Sequence, residues 1–356
     1  MDSFQIRLLA WYDKHARVLP WRISPQDGKL GVMPDPYHVW LSEVMLQQTT
    51  VAAVKSYFQK FIRQWPTVFD LAQADTDDVM KAWAGLGYYS RARNLKACAD
   101  IIAHEYKGTF PETQAELMAL PGVGDYTSAA IAAIAFGKKC NVVDGNIERV
   151  VTRHTANATP LPKAKEDCRT FMGKVTPEDR PGDFVQAMMD LGATVCTPKN
   201  PACGECPVHL DCAAKQSDTM SQYPVRPAKK PKPTRQGAAF IVQRKDGAIW
   251  LHKRPDKGLL GGMAGLPTTG WTASLDGAVG LDAAPFSGAW NSFKFIRHTF
   301  THFHLELEVW HIHSNNTVDE GWWSLPEDIK NEALPTVMKK VVIAALPHLF
   351  QERKPK

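Results

Sequence analysis

The sequence predicts an all-α domain followed by a separate α+β domain. Three observations carry that prediction. Apolar residues recur at three- and four-residue spacing down to about residue 212, as amphipathic helices require. A basic, proline-rich stretch interrupts the pattern at 215–235. Beyond it the apolar period shortens to two, which marks strands, before a closing helix. At 356 residues there is room for two domains, and 44% hydrophobic with 22% charged residues is ordinary for a soluble globular chain.

The helical domain is expected over 1–214. "FQIRLLAWYDKHA", "VWLSEVMLQQTTVAAVKSYFQKFI", "TDDVMKAWAGL", "YSRARNLKACADIIAHEY" and "TQAELMAL" each read as one helix, separated by the breakers "WPT", "GLGYYS", "GTFPE" and "LPGVG". Residues 215–235 read as an extended linker, with four prolines and five Lys/Arg between Tyr223 and Arg235. The second domain is expected over 236–356. There "GAAFIVQ" and "AIWLHKR" flank a turn at Lys245–Gly247, "NSFKFIRHTF" and "HFHLELEVWHIH" alternate, and "LPTVMKKVVIAAL" closes as a helix. No internal repeat is evident.

A net charge of +5 is compatible with a polyanionic partner without requiring one. No apolar run approaches the ~20 residues that span a bilayer, and "MDSFQIR" lacks the pattern of a signal peptide. No membrane association is expected, and the cytoplasm is the expected location. Of seven cysteines, Cys98, Cys140 and Cys168 sit in apolar or helical stretches and read as buried free thiols. Cys196, Cys203, Cys206 and Cys212 form C-x6-C-x2-C-x5-C, with prolines and a glycine that let the loop wrap a metal centre. The choice lies between zinc and an iron–sulfur cluster, since a cytoplasmic disulfide is disfavoured.

Three further stretches carry chemistry. In "LPGVGDYTSAA", Gly122, Val123 and Gly124 read as the turn of a helix–hairpin–helix, whose backbone N–H groups and following helix N-terminus suit a phosphate oxygen. Asp125 can cap that helix, and its charge should point away from a phosphate. In "VWLSEVMLQQT", Glu43 shares a stripe with Val39, Trp40 and Leu46–Gln47. A carboxyl among apolar neighbours has a raised pKa and can serve as a general acid. In "NVVDGNIERV", Asp144 or Asn146 reads as a helix N-cap, or Asp144 as a second carboxylate kept ionised by helix N–H groups.

Taken in order, "LPWR", "DPYHVWLSEVMLQQT", "WAGLGYYSRARNL", "LPGVGDYT", "VVDGNIERV", "FVQAMMDLGATVCT", the cysteine set and "RHTFTHFHLEL" resemble the MutY family of adenine DNA glycosylases, within the endonuclease III-like helix–hairpin–helix superfamily. The resemblance implies one 4Fe–4S cluster on Cys196, Cys203, Cys206 and Cys212. It also implies base excision repair of double-stranded DNA containing adenine opposite 8-oxoguanine or guanine, by a monomer at the nucleoid of a bacterium. Glu43 is then the acid on adenine, Asp144 stabilises the sugar cation, and Asn146 and Tyr126 orient the groups. Tyr126 stands where endonuclease III has a Schiff-base lysine, so the enzyme should be monofunctional. Trp21, Arg22 and Gln186 match the adenine pocket, although some relatives have glutamate in place of Gln186. Gln48, Thr49, Leu86 and Tyr88 match residues that probe the opposite base and fill the stack.

The stretch "HKRPDKGLLGGMAGLP" resembles the start of a MutT-like (Nudix) fold, but no glutamate-rich metal box follows, so this domain should bind rather than hydrolyse. Phe300, Thr301 and His302 match an F-S-H loop that recognises 8-oxoguanine, with threonine keeping the hydroxyl and adding a methyl. His298, His302, His304 and His311 are expected to be exposed or hydrogen-bonded rather than metal-bound.

Overall fold

Helix starts follow local capping chemistry. α1 (Ser3–His15) opens the chain; α2 (Pro25–Lys29) and α3 (Pro36–Leu46) begin with proline, behind Ser24 and Asp35, whose side chains accept from first-turn N–H groups. Thr50 caps α4 (Val51–Gln64) in the same way. α5 (Val68–Gln73) follows; Asp75 caps α6 (Thr76–Trp83), and α7 (Ser90–His104) comes next. Thr113 caps α8 (Gln114–Met118); α9 (Asp125–Phe136) starts at Gly124 without a side-chain cap and ends at a left-handed Gly137. Asp144 caps α10 (Gly145–His154), and α11 (Ala164–Val175), α12 (Pro181–Thr194) and α13 (Ala213–Gln216) complete the helical part.

This computed structural model describes residues 3–228 and 230–351; residues 1, 2 and 352–356 of the expected domains and Lys229 of the expected linker lie outside the described residues. The single helix expected over 39–62 is two helices. Gln48 takes a positive φ of 58°, and the Thr50 hydroxyl accepts from Ala53 N to cap α4, so the chain breaks at 47–50. The short α2 and α5 were not anticipated. No helix among the described residues is long and apolar enough to cross a membrane.

The residues form two compact units, Met1–Gln73 with Asn94–Lys229, and Ala74–Arg93 with Lys230–Lys356. In the first, α9 packs against α3, α8 and α12, and α12 against α1 and α10. Tyr12, Trp40, Phe61 and Phe184 are fully buried there, each contributing roughly 1.5–3 kcal/mol of apolar burial. Residues 215–228 differ from the expected linker. Met220 and Tyr223 offer carbonyls to Arg153 Nε at 2.9 and 3.3 Å, and Leu161 N donates to Val225 O at 2.9 Å. A chain with no ladder of its own has free carbonyls, and a buried guanidinium needs them.

The second unit contains a sheet of order β3-β2-β1-β5-β4, with β6 also paired to β2. Its strands are β1 (Thr234–Gln243), β2 (Ile249–Lys253), β3 (Ala264–Gly265), β4 (Asn291–Thr299), β5 (His304–His313) and β6 (Trp322–Ser324). β1 and β2 form the expected hairpin. β1 is central and runs parallel to β5 from Thr234↔His304 to Gln243↔His313, which explains its unbroken buried run from Gly237 onward. β4 and β5 pair antiparallel with a bulge between Phe293 and Ile296, and α14 (Thr336–Ala345) packs against both. His311 is buried against Gln243 Oε1 at 3.0 Å, and His304 bonds Thr299 at 3.0 Å.

Candidate active site and cysteine loop

A cavity of about 1120 Å³ opens in the first unit. α3 delivers Glu43 to it, the break after α3 delivers Gln48 and Thr49, the loop before α2 delivers Trp21 and Arg22, and α12 delivers Gln186. Tyr126 comes from the first turn of α9, and Asp144 and Asn146 from the start of α10. Gly122 and Gly124 also line it, whereas Val123 is buried beneath the turn.

Glu43 is only 6% exposed. Tyr126 Oη donates to its Oε2 at 2.8 Å. Burial pushes the Glu43 carboxyl up to about 7, against the lowering effects of the Tyr126 hydrogen bond and the Arg22 charge; Asp144 adds to the rise. Burial, then the Glu43 charge, hold the Tyr126 phenol well above its usual range. The buried, raised carboxyl suggested by the sequence is present, and such a group can keep its proton near neutrality.

Asp144 is both helix cap and cavity group. Its Oδ1 accepts from Ile147 N at 2.7 Å and its Oδ2 from Asn146 Nδ2 at 3.0 Å. Sequence suggested that helix N–H groups would hold it down. Those bonds do lower its pKa, but burial outweighs them and the net direction is upward. Arg149, one turn further along α10, fixes Asn146. Its Nη2 donates to Asn146 Oδ1 at 2.9 Å and to Gly192 O at 2.6 Å, and its Nε to Cys196 O at 2.8 Å. Sequence inspection did not single out Arg149, which looks like any charge on an amphipathic helix. It gave no role to Gln47, which donates to Thr127 at 3.0 Å at the cavity wall, and did not single out Asp190, which binds Arg22.

Gly192 is where α12 meets α10. A Cβ there would lie 2.6 Å from Asn146 Cβ and 3.1 Å from its backbone. For the activity that the resemblance implies, Gly192→Ala should therefore displace Asn146 and slow single-turnover base removal more than it weakens duplex binding. Equal loss of both would show that the close approach does not matter to the chemistry.

The hairpin needs only one of its glycines for conformation. Gly122 has φ 75°, and a Cβ would strike Asn94 at 2.7 Å. Gly124 is extended (φ −93°, ψ −177°), with nothing within 4 Å of a built Cβ, which leaves its face open to a ligand. Asp125 is not the cap. Its carboxylate is drawn to Arg169 at 2.7 Å and to Gln114 at 3.2 Å, which offsets its charge near the turn.

Leu86 and Tyr88 belong to the second unit. Leu86 is buried, while Tyr88 is 42% exposed with φ 49°. Phe300, Thr301 and His302 form the tip between β4 and β5, closed by Phe300 N donating to Phe303 O at 2.9 Å. Phe300 stacks on Phe303 with centroids 4.7 Å apart, and Tyr88 Oη lies 2.7 Å from Thr301 Oγ1. A cavity of about 520 Å³ is lined by Tyr88, Thr301 and His302.

Back in the first unit, Cys196, Cys203, Cys206 and Cys212 ring a void of about 30 Å³. Burial pushes the Cys206 thiol up to about 12, and the other three thiols push the same way. Among the described residues, no group of three or more His, Cys, Asp or Glu is arranged to hold a single metal ion. Four thiols around a common void fit a cluster, whose iron core separates its cysteines, better than one tetrahedral zinc. Arg153 Nη1 reaches Cys196 Sγ at 3.4 Å and Thr197 O at 2.7 Å, and Nη2 reaches Pro198 O at 3.1 Å.

Family comparisons agree with this geometry. Residues 41–176 match the HhH-GPD superfamily of base excision DNA repair proteins, 196–212 the iron–sulfur binding domain of endonuclease III, and 238–344 the NUDIX domain. The human adenine DNA glycosylase is 35% identical over 403 residues, covering 96% of this chain and 73% of the relative. The rat adenine DNA glycosylase is 34% identical, covering 96% and 77%. Among solved structures, a thermostable thymine-DNA glycosylase superposes with TM-score 0.53 at 28% identity, covering 60% of this chain and 95% of that one. Endonuclease III in a DNA complex shares the fold, with TM-score 0.50 at 22% identity, covering 61% and 98%. The four cysteines thus carry a 4Fe–4S cluster. With more than a third of its residues identical across nearly its whole length, the chain belongs to the adenine DNA glycosylase family: it binds DNA and hydrolyses the N-glycosidic bond of adenine in base excision repair.

Proposed function

We propose that the adenine removed is one mispaired with 8-oxoguanine or, less readily, with guanine, and that Glu43 starts its departure. The flipped nucleotide enters the first unit's cavity. Glu43, protonated, gives its proton to adenine N7 so that the base leaves neutral. The glycosidic bond breaks with both electrons going to the base, and an oxocarbenium-like sugar forms. Asp144 stabilises that cation, Asn146 and Tyr126 set the orientation, and water adds to the sugar carbon, its released proton returning to the Glu43 carboxylate, to leave an abasic site. Trp21, Arg22 and Gln186 border the base, with Gln48 and Thr49 at the cavity rim. The hairpin at Gly122–Gly124 holds a phosphate. The cluster loop holds its segment of the DNA-binding body in shape.

One observation carries the catalytic reading: a buried carboxyl lifted to about 7 shares a cavity with a second carboxylate at a helix start. The mispair reading rests on resemblance, supported by the tip Phe300–His302, which shares a cavity with Tyr88 in the second unit. On this reading Leu86 and Tyr88 serve the opposite strand. The working form is a monomer acting on chromosomal DNA in a bacterial cytoplasm.

The test uses duplexes with adenine opposite 8-oxoguanine, guanine or thymine, incubated and then cleaved with hot alkali. Breaks should appear fastest opposite 8-oxoguanine, slower opposite guanine and not opposite thymine; equal rates for all three would refute the mispair reading. Borohydride added during turnover should trap no covalent adduct, because Tyr126 cannot form a Schiff base. A stable adduct would assign the chain the lyase chemistry of endonuclease III instead.

A further inference from the structure

Beyond the residues matched by resemblance, one buried acid organises the wall of the first unit's cavity. We propose that Asp190 is a positioning residue, whose carboxylate ties the loop 17–22 to α12 and fixes the Arg22 guanidinium beside the reacting acid. The inference rests on Glu43 being that acid.

Asp190 is fully buried. Its Oδ2 accepts from the Arg17 backbone at 3.0 Å and its Oδ1 from Arg17 Nε at 2.6 Å. Arg22 Nη1 lies 2.9 Å from Oδ1 and 2.8 Å from Oδ2. One carboxylate therefore holds both ends of a six-residue loop. Between those ends stand Leu19 and Trp21, both buried and both lining the cavity. The side chain of Arg22 is 7% exposed, so its cation depends on Asp190 for a counter-charge.

The groups around the acid are few. Tyr126 faces Glu43 from α9, Arg22 from the loop and Asp144 from the start of α10. Arg22 in turn feels Asp190 from α12, Tyr12 from α1 and Glu43 from α3. Arg22 favours the ionised form of Glu43, and Asp190 offsets part of that pull. Removing the Asp190 charge leaves an unbalanced buried cation next to an acid that must keep its proton.

The experiment is the single-turnover rate of adenine removal from a mispaired duplex, measured from pH 5 to 9. The wild-type rate should fall as pH rises through about 7, as Glu43 loses its proton. In Asp190→Asn that fall should occur about one pH unit lower, the scale of a neighbouring buried charge. Asp190→Glu keeps the charge and should restore most of the shift. Arg17→Met withdraws a cation and leaves Asp190 only the residue-17 backbone N–H beside the Arg22 charge, so its fall should move to higher pH. Superposable profiles for wild type and Asp190→Asn overturn the proposal, as does an unmoved or lowered fall in Arg17→Met. If Asp190→Asn does not fold, the Arg17→Met profile decides alone. A wild-type rate that never falls near neutrality, or a Glu43→Gln enzyme that keeps its rate, sinks the acid assignment and this inference with it. A normal wild-type fall with unmoved variants sinks only the inference.

Discussion

Replacing Glu43 with glutamine should abolish useful adenine removal while leaving duplex binding intact. The substitution keeps the shape and still offers Tyr126 Oη an oxygen, so it removes little but the proton. A positioned acid contributes about 10²–10⁴ in rate, and at least that loss is expected in single-turnover kinetics. Stability should move the other way. The carboxyl is lifted from 4.5 to about 7 in the folded protein. A folded state that holds the proton more tightly is favoured at low pH and loses that advantage as pH rises through the folded value. Above neutrality the buried carboxylate costs about 3 kcal/mol on this shift. Glu43→Gln removes that cost, so its gain in thermal stability over wild type should be small at pH 5 and largest at pH 8. A gain independent of pH, or an active variant, would show that this carboxyl is not held as described.

Arg153→Met should be the most damaging change away from the reaction cavity. Arg153 is 2% exposed. Its guanidinium serves the carbonyls of Met220, Tyr223, Thr197 and Pro198 and contacts Cys196 Sγ. Methionine fills much of the same volume but donates nothing. Breaking such a buried charged network costs on the order of 3–5 kcal/mol. The loop 196–223 should loosen, and the cluster's visible absorbance should bleach faster on heating than in wild type. Unchanged bleaching with a normal melting temperature would mean that the cysteines and their iron hold this loop unaided.

The sequence made the periods legible, and with them most elements. The change from three-and-four spacing to alternation separated helices from strands, and the spacing of Cys196 to Cys212 marked a metal loop. Glu43 was legible as a candidate because a carboxylate among Val39, Trp40 and Leu46 breaks the pattern around it. The break at 47–50 was not, since Gln-Gln-Thr-Thr fits a helical stripe and the left-handed turn at Gln48 leaves no mark in composition. Nor was Asp190, whose partners Arg17 and Arg22 lie about 170 positions away. Arg149 and Arg153 went unremarked, because nothing local tells a buried arginine from one on the solvated face of a helix; only tertiary structure turns them inward. The parallel pairing of β1 with β5 brings together residues some 70 positions apart, a distance over which local pattern says nothing.

The cavity holding Glu43 and Asp144 is walled by side chains from α3, α9, α10 and α12, helices that pack on one another. A protein prepared in this way spends little ordering itself when a nucleotide arrives. The cost of entry falls on the duplex, which must surrender a stacked and paired base. On the proposed mechanism, a base held loosely in its own helix therefore reaches the acid sooner than one firmly stacked.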